Sequence, residues 1–306
     1  MSDKKLLDGK VIVVTGAGRG IGRGIAMMMA SRGAKVVVND LGVSSGGEGN
    51  DASPAADVVK EIKALGGEAM ANFGNVADWK SAHEIIQCAL DTYGRVDGLV
   101  NNAGIVRDKI FHNMTEEDFD LVVNVNLKGS FNMARACAPH FREQQSGCVV
   151  HMTSTSGLIG NLGQSNYMSA KLGIVGLSKS IALDMARSNV RSNCISPFAW
   201  SRLFGAVPSE TPEQIARLDK IKEMTPEKIA PLATALFSDA AKEVTGQVFA
   251  VRNNEIFLMS QARPIRTAHT SDGWTPETVG QRVFPAFKPS MYGLDKTADV
   301  FTWDPV

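Results

Sequence analysis

Nowhere in its 306 residues does this chain run apolar for the ~20 positions that a membrane-spanning helix needs. The start, Met1–Asp8, is short and polar and lacks the apolar stretch of a secretion signal. Cys88, Cys137, Cys148 and Cys194 show no C-x-x-C spacing, so free thiols in a reducing compartment are the expectation. The five histidines are scattered without metal-ligand spacing, and no metal site is expected. His151 reads as a core histidine. Formal net charge is zero, and no polybasic run or basic stripe occurs. Neither nucleic acid nor an anionic membrane is therefore an expected partner. Asp304-Pro305-Val306 is not a peroxisomal address, and a cytoplasmic location is expected.

What is present is strand–helix alternation along most of the chain. Short β-branched runs such as Val11–Val14 and Lys35–Val38 read as buried strands. Strands are predicted at Lys10–Thr15, Lys35–Asn39, Glu68–Asn72, Gly98–Asn101, Cys148–Thr153, Arg191–Ser196 and Gln247–Val251. Helices fall between them, one opening at the capping-box pattern of Thr115–Asp118. This order predicts an α/β fold, a doubly wound parallel sheet of seven strands with helices on both faces. One such core suits the length, and a second globular domain is not required.

The first strand runs into Thr15-Gly16-Ala17-Gly18-Arg19-Gly20-Ile21-Gly22, and an amphipathic run follows. Strand, glycine turn and helix are the context of a dinucleotide site. The glycines let the backbone approach a pyrophosphate, which the helix N-terminus holds. Such a turn can also serve plain packing. Asp40 ends the second strand, where a carboxylate can accept hydrogen bonds from both ribose hydroxyls of an adenosine. It would repel a 2′-phosphate, so it favours NAD over NADP. Arg19 dissents, because a cation in the turn could meet a phosphate. Asp40 outweighs it, since carboxylate and phosphate share a site only at a cost.

Tyr167 and Lys171 stand four residues apart at the head of a helical pattern, with Ser154 upstream. That spacing puts both side chains on one helix face. An ammonium beside a phenol is expected to lower the phenol's pKa, so that it exchanges protons near neutral pH. Taken alone, the pair also describes a surface tyrosine and a solvated lysine.

Together these motifs resemble the short-chain dehydrogenase/reductase family over roughly residues 8 to 255. The matching segments are Thr15–Gly22, the N-N-A-G of Asn101–Gly104, Asn126 in V-N-L-K-G, Ser154, and Tyr167–Lys171. The resemblance implies a Rossmann-type domain over 1–255, NAD bound in it, and oxidoreduction of a secondary alcohol and ketone. It implies that Tyr167 is the general acid/base, that Lys171 lowers its pKa and binds the nicotinamide ribose, and that Ser154 holds the substrate oxygen. Asn126 would hold a relay water. Gly16, Arg19, Gly20, Ile21, Gly22, Asp40, Asn75, Val76, Asn102, Ala103, Gly104 and Pro197 would line the cofactor. The family's usual Pro-Gly is Pro197-Phe198 here, and its closing Gly-Gly is Asn253-Asn254.

A narrower set is similar to the (3R)-hydroxyacyl-CoA dehydrogenase and 17β-hydroxysteroid dehydrogenase type 4 branch. It comprises V-V-V-N-D-L, a glycine-rich insertion at 42–50, A-N-F-G-N-V, G-N-L-G-Q-S-N-Y, and the P-x-x-x-S-R of Pro197, Ser201 and Arg202. The insertion read by itself is a mobile surface loop. The branch implies a 3-hydroxyacyl-CoA as substrate, with a hydroxysteroid as the alternative, and a homodimer or homotetramer. A non-catalytic dinucleotide-binding sensor or scaffold is the reading from another class. The segment 198–225 has a helix start at Thr211-Pro212 and reads either as a substrate lid, which the family resemblance implies, or as an ordinary amphipathic helix packed on the body. Residues 256–306 form a C-terminal extension rich in spread aromatics, expected to pack on the domain or a neighbouring subunit.

Overall fold

In the computed structural model, residues 5–49, 51–200 and 211–306 are described; Ser201 and Arg202 lie outside them. The strands are β1 (Val11–Thr15), β2 (Lys35–Asn39), β3 (Glu68–Asn72), β4 (Gly98–Asn101), β5 (Gly147–Met152), β6 (Val190–Phe198), β7 (Val248–Arg252) and β8 (Glu255–Leu258). Their order in the sheet is β3-β2-β1-β4-β5-β6-β7-β8. All neighbours pair in parallel except β7 and β8. The helices on the two faces include α1 (Gly20–Ser31), α2 (Ser53–Ala64), α3 (Trp79–Tyr93), α4 (Glu116–Val123), α5 (Gly129–Gln144), the short α6 (Thr155–Leu158), α7 (Ser165–Asp184), α8 (Pro212–Lys222) and α9 (Ala230–Ala235).

The period-2 geometry of strands explains why the β-branched runs are apolar throughout. Ile12, Val14, Val36 and Val38 face one core with α1, α2 and α9. Val11, Val13 and Val37 face the other with α3 and α5. Helix α7 turns Ala170, Ile174, Ser178 and Ala182 inward at four-residue spacing. Helix α4 opens with the reciprocal Thr115 and Asp118 capping box, and α8 with one between Thr211 and Gln214.

Among the described residues the sheet has eight strands, not seven. The difference lies at Asn253, whose φ of 56° is one an asparagine tolerates. It reverses the chain, so that Arg252 pairs with Glu255 and β8 runs antiparallel along the edge. The sheet thus continues past residue 255.

Beyond β8 the chain leaves the body and returns. Its outer part exposes Phe284, Tyr292 and Leu294, Leu294 fully. The returning end is docked. Thr297 N donates to Gly160 O at 3.0 Å, and Asn254 N donates to Val306 O at 2.9 Å. Phe301 is buried among Phe198, Phe257 and Trp303, with ring centroids 4.9, 5.3 and 5.6 Å away. Asp304 pairs with Lys220 and Arg217 of α8.

Candidate active site

Because β1 lies between β2 and β4, the chain winds outward one way and then the other. The carboxyl ends of β1 and β4 therefore diverge and leave a crevice. Two cavities of about 420 and 160 Å³ occupy it and share Ser45, Asn102, Gly104 and Ile105.

The larger cavity is walled by Gly16 and Arg19 of the glycine turn, by Asp40, by Asn75 and Val76, and by Asn102–Gly104. Its floor is built from side-chain-to-backbone bonds. Asn102 Nδ2 donates to the carbonyls of Thr15 and Gly16, both at 2.9 Å, and Thr15 Oγ1 accepts from Asn102 N and Ala103 N. The end of β4 thus clamps the turn after β1. Glycine is required there. A Cβ on Gly22 would lie 2.2 Å from Gly16 O, and one on Gly16, at φ +61°, 2.9 Å from Ala103 Cα. Gly20 begins α1 at positive φ, and Gly22 lies beneath the turn. This bare backbone at a helix start suits phosphate groups.

Asp40 Oδ2 accepts from Gly18 N at 2.7 Å and Oδ1 from Gly42 N at 2.8 Å. Two backbone amides thus fix the carboxylate at the cavity wall. Arg19 reaches Asp51 Oδ2 at 3.4 Å, so its charge is drawn toward a carboxylate beside the insertion. Asn75 Oδ1 accepts from Ala77 N at 2.9 Å, a local turn that presents Val76 to the cavity.

The smaller cavity brings together Ile21, Asn126, Tyr167, Lys171 and Pro197. Lys171 lies 5.5 Å from the Tyr167 ring centroid, and its Nζ donates to Met152 O at 2.8 Å. Lys171 is buried, and burial brings its pKa down to about 8. Tyr167 departs from the sequence expectation. Burial pushes its phenol above the ordinary value. Asp108 adds to that rise, and the hydrogen bond from Ser154 works against it. The Lys171 ammonium beside the ring is bonded to the Met152 carbonyl.

Ser154 caps α6, its Oγ accepting from Ser156 N at 3.1 Å. Asn126 sits in a π-turn between α4 and α5 (124–128). Its Nδ2 donates to Ile105 O and Val122 O, both at 2.9 Å, while its buried Oδ1 has no partner among the described residues. That oxygen faces Gly104, where an added Cβ would lie 2.4 Å from it and 3.6 Å from Lys171 Nζ.

The insertion is not the free surface loop that its glycines suggest. Val43, Ser44, Ser45 and Gly47 line the larger cavity, and Ser45 the smaller one too. Val106 N donates to Ser45 O at 3.1 Å, and Arg107 Nε to Gly46 O at 3.1 Å. Its partners lie some 60 residues away in sequence, so no local pattern announces them.

Residues 10–201 match the short chain dehydrogenase family. The chain belongs to that family. It is an oxidoreductase of CH–OH groups, and the family's dinucleotide is of the NAD(P) type. A short-chain type dehydrogenase/reductase of Mycobacterium tuberculosis is 46% identical over 75% of this chain and 78% of its own. The peroxisomal hydratase-dehydrogenase-epimerase of Neurospora crassa is 43% identical over 84% of this chain, which spans only 27% of that protein. The crystal structure of a short chain dehydrogenase from Mycobacterium avium superposes with a TM-score of 0.81 at 39% identity, covering 94% of this chain and 97% of that one. Among the described residues no helix is long and apolar enough to cross a membrane, and no group of three or more His, Cys, Asp or Glu could hold a metal ion.

Proposed function

We propose that this short chain dehydrogenase uses NAD to oxidise a 3-hydroxyacyl-CoA to the 3-oxoacyl-CoA. The observation that carries the cofactor choice is Asp40, a carboxylate fixed by two amides on the wall of the larger cavity. A 2′-phosphate would meet that charge, and Arg19 has its own carboxylate partner in Asp51. The substrate class rests on the likeness to a protein named for dehydrogenase and hydratase steps.

Bound NAD supplies the hydride acceptor. Tyr167 takes the proton from the substrate hydroxyl as the carbinol carbon gives up its hydride. Ser154 has one hydroxyl proton, which it donates to the Tyr167 oxygen before substrate binds and to the substrate oxygen afterwards. Lys171 holds the ribose and offers positive charge. A water between Lys171 Nζ and Asn126 Oδ1 returns the proton to solvent.

Gly16, Gly20, Ile21 and Gly22 cradle the pyrophosphate, Asn75 and Val76 meet the adenine, and Asn102–Gly104 with Pro197 support the ring end. The first 255 residues form the cofactor-binding unit, and residues 256–306 pack on it or on a neighbouring subunit of a homodimer or homotetramer. The location is cytoplasmic.

A spectrophotometric screen of NAD and NADP reduction over hydroxyacyl-CoA thioesters and hydroxysteroids tests this reading. NAD reduction with 3-hydroxyacyl-CoA is the expected result. Oxidation of steroids alone, or a preference for NADP, would overturn it.

A further inference from the structure

We propose that the insertion between β2 and α2 is a clasp over the dinucleotide, and that Arg107 is the positioning residue that latches it to α4, against which the helix carrying Tyr167 is held. The proposal rests on the dinucleotide reading above.

The clasp reaches across the site. Ser44 and Gly47 border the larger cavity, and Ser45 borders both. A ligand spanning the two cavities would therefore run beneath it. Two backbone features shape the loop. Gly42 and Gly47 have φ of +76° and +89°, and a Cβ on Gly47 would lie 3.2 Å from Ile105 Cδ1. The loop thus lies against the chain leaving β4.

Arg107 is where three elements meet. Its Nε donates to Gly46 O at 3.1 Å, and a terminal nitrogen lies 3.8 Å from Glu48, both on the insertion. Its other terminal nitrogen lies 3.6 Å from Asp118 of α4. Its carbonyl accepts from Asn166 Nδ2 at 2.9 Å. Asn166 is fully buried, donates also to Asp118 O at 3.0 Å, and accepts from Tyr167 N at 2.7 Å. Asp118 keeps its charge, because Lys109 and Thr115 hold its pKa down to about 2. One planar guanidinium thus ties the loop over the cofactor to α4, while the backbone carbonyls of Arg107 and Asp118 hold Asn166 at the start of α7. A lysine cannot copy this fork, since its point charge can meet a carboxylate or the Gly46 carbonyl but not the whole set. The catalytic motifs do not call for Arg107, and the hydroxyl chemistry does not use it.

NADH binding is followed by fluorescence titration of wild type, Arg107→Ala and Arg107→Lys, with thermal melts of each. Hydrogen exchange of residues 42–49 is recorded with and without NADH. The expected result is about tenfold weaker NADH binding for Arg107→Ala and an intermediate loss for Arg107→Lys, from lost charge-assisted bonds. NADH should protect the 42–49 amides in wild type and less so in Arg107→Lys. The Michaelis constant for NAD should rise more than the turnover number falls. Unchanged NADH affinity in a folded Arg107→Lys or Arg107→Ala protein overturns the clasp and leaves the dinucleotide reading standing. So does the absence of protection at 42–49 on binding. If wild type binds neither NADH nor NADPH, the dinucleotide reading itself fails, and the clasp with it.

Discussion

His151 is fully buried on β5, with Nδ1 3.2 Å from Asn101 Nδ2 and no partner for Nε2. Burial, with Lys171 adding to it, lowers its pKa to about 3. A depressed folded pKa means stability that is complete above the unfolded value near 6.5 and drains as pH falls toward 3. Between pH 6.5 and 5 this residue should cost about 2 kcal/mol, from ~1.36 kcal/mol per pH unit. Denaturant titrations at the two pH values should show a smaller difference in His151→Gln than in wild type. Ser154 carries a second pH prediction. Its hydrogen bond lowers a Tyr167 pKa that burial has raised. Wild-type alcohol oxidation should therefore climb toward alkaline pH, and Ser154→Ala should move the midpoint of that limb higher in a pH–rate profile. At this scale the sequence showed which residues to watch, because residue type and spacing are local. It did not show that burial works against the phenol's ionisation. Desolvation depends on what surrounds the ring, and the amine beside it is turned toward the Met152 carbonyl.

Among the elements, the glycine turn tolerates least. Gly22→Ala places a methyl 2.2 Å from Gly16 O and 2.5 Å from Asn102 Nδ2, so the clamp between β1 and β4 must open. NADH binding should weaken by about tenfold or more. Gly176→Ala on α7 meets nothing within 4 Å and should leave binding unchanged while adding up to about 1 kcal/mol of stability. Titration and thermal melts of both variants check the pair. Strands β1, β2 and β4 were readable because parallel strands buried on both faces are continuous apolar runs. β8 was not, because it is four residues at an edge and follows an asparagine turn where the pattern suggested glycines. The contacts that hold the insertion were hidden for a related reason. Glycine content reports the freedom of a backbone, whereas what fixes this loop is Val106 and Arg107, far along the chain.

For the molecule as a whole, the returning tail is the feature beyond residues 10–201, which match the family. Phe301 is 8% exposed at the centre of an aromatic cluster, and Phe301→Ala should cost about 3 kcal/mol in chemical denaturation. The outer part of the tail leaves Tyr292 and Leu294 uncovered on the single chain. Light scattering should accordingly find a dimer or tetramer in solution. Composition announced the aromatics of this segment but could not say which would be covered, since that depends on where the chain turns back.

Tyr167 is the group that exchanges the substrate's proton in the proposed reaction. The direct test is turnover of an accepted 3-hydroxyacyl-CoA by Tyr167→Phe, measured beside its NADH affinity. Turnover should fall by about 10²- to 10⁴-fold with NADH binding retained. Turnover equal to wild type would contradict the account.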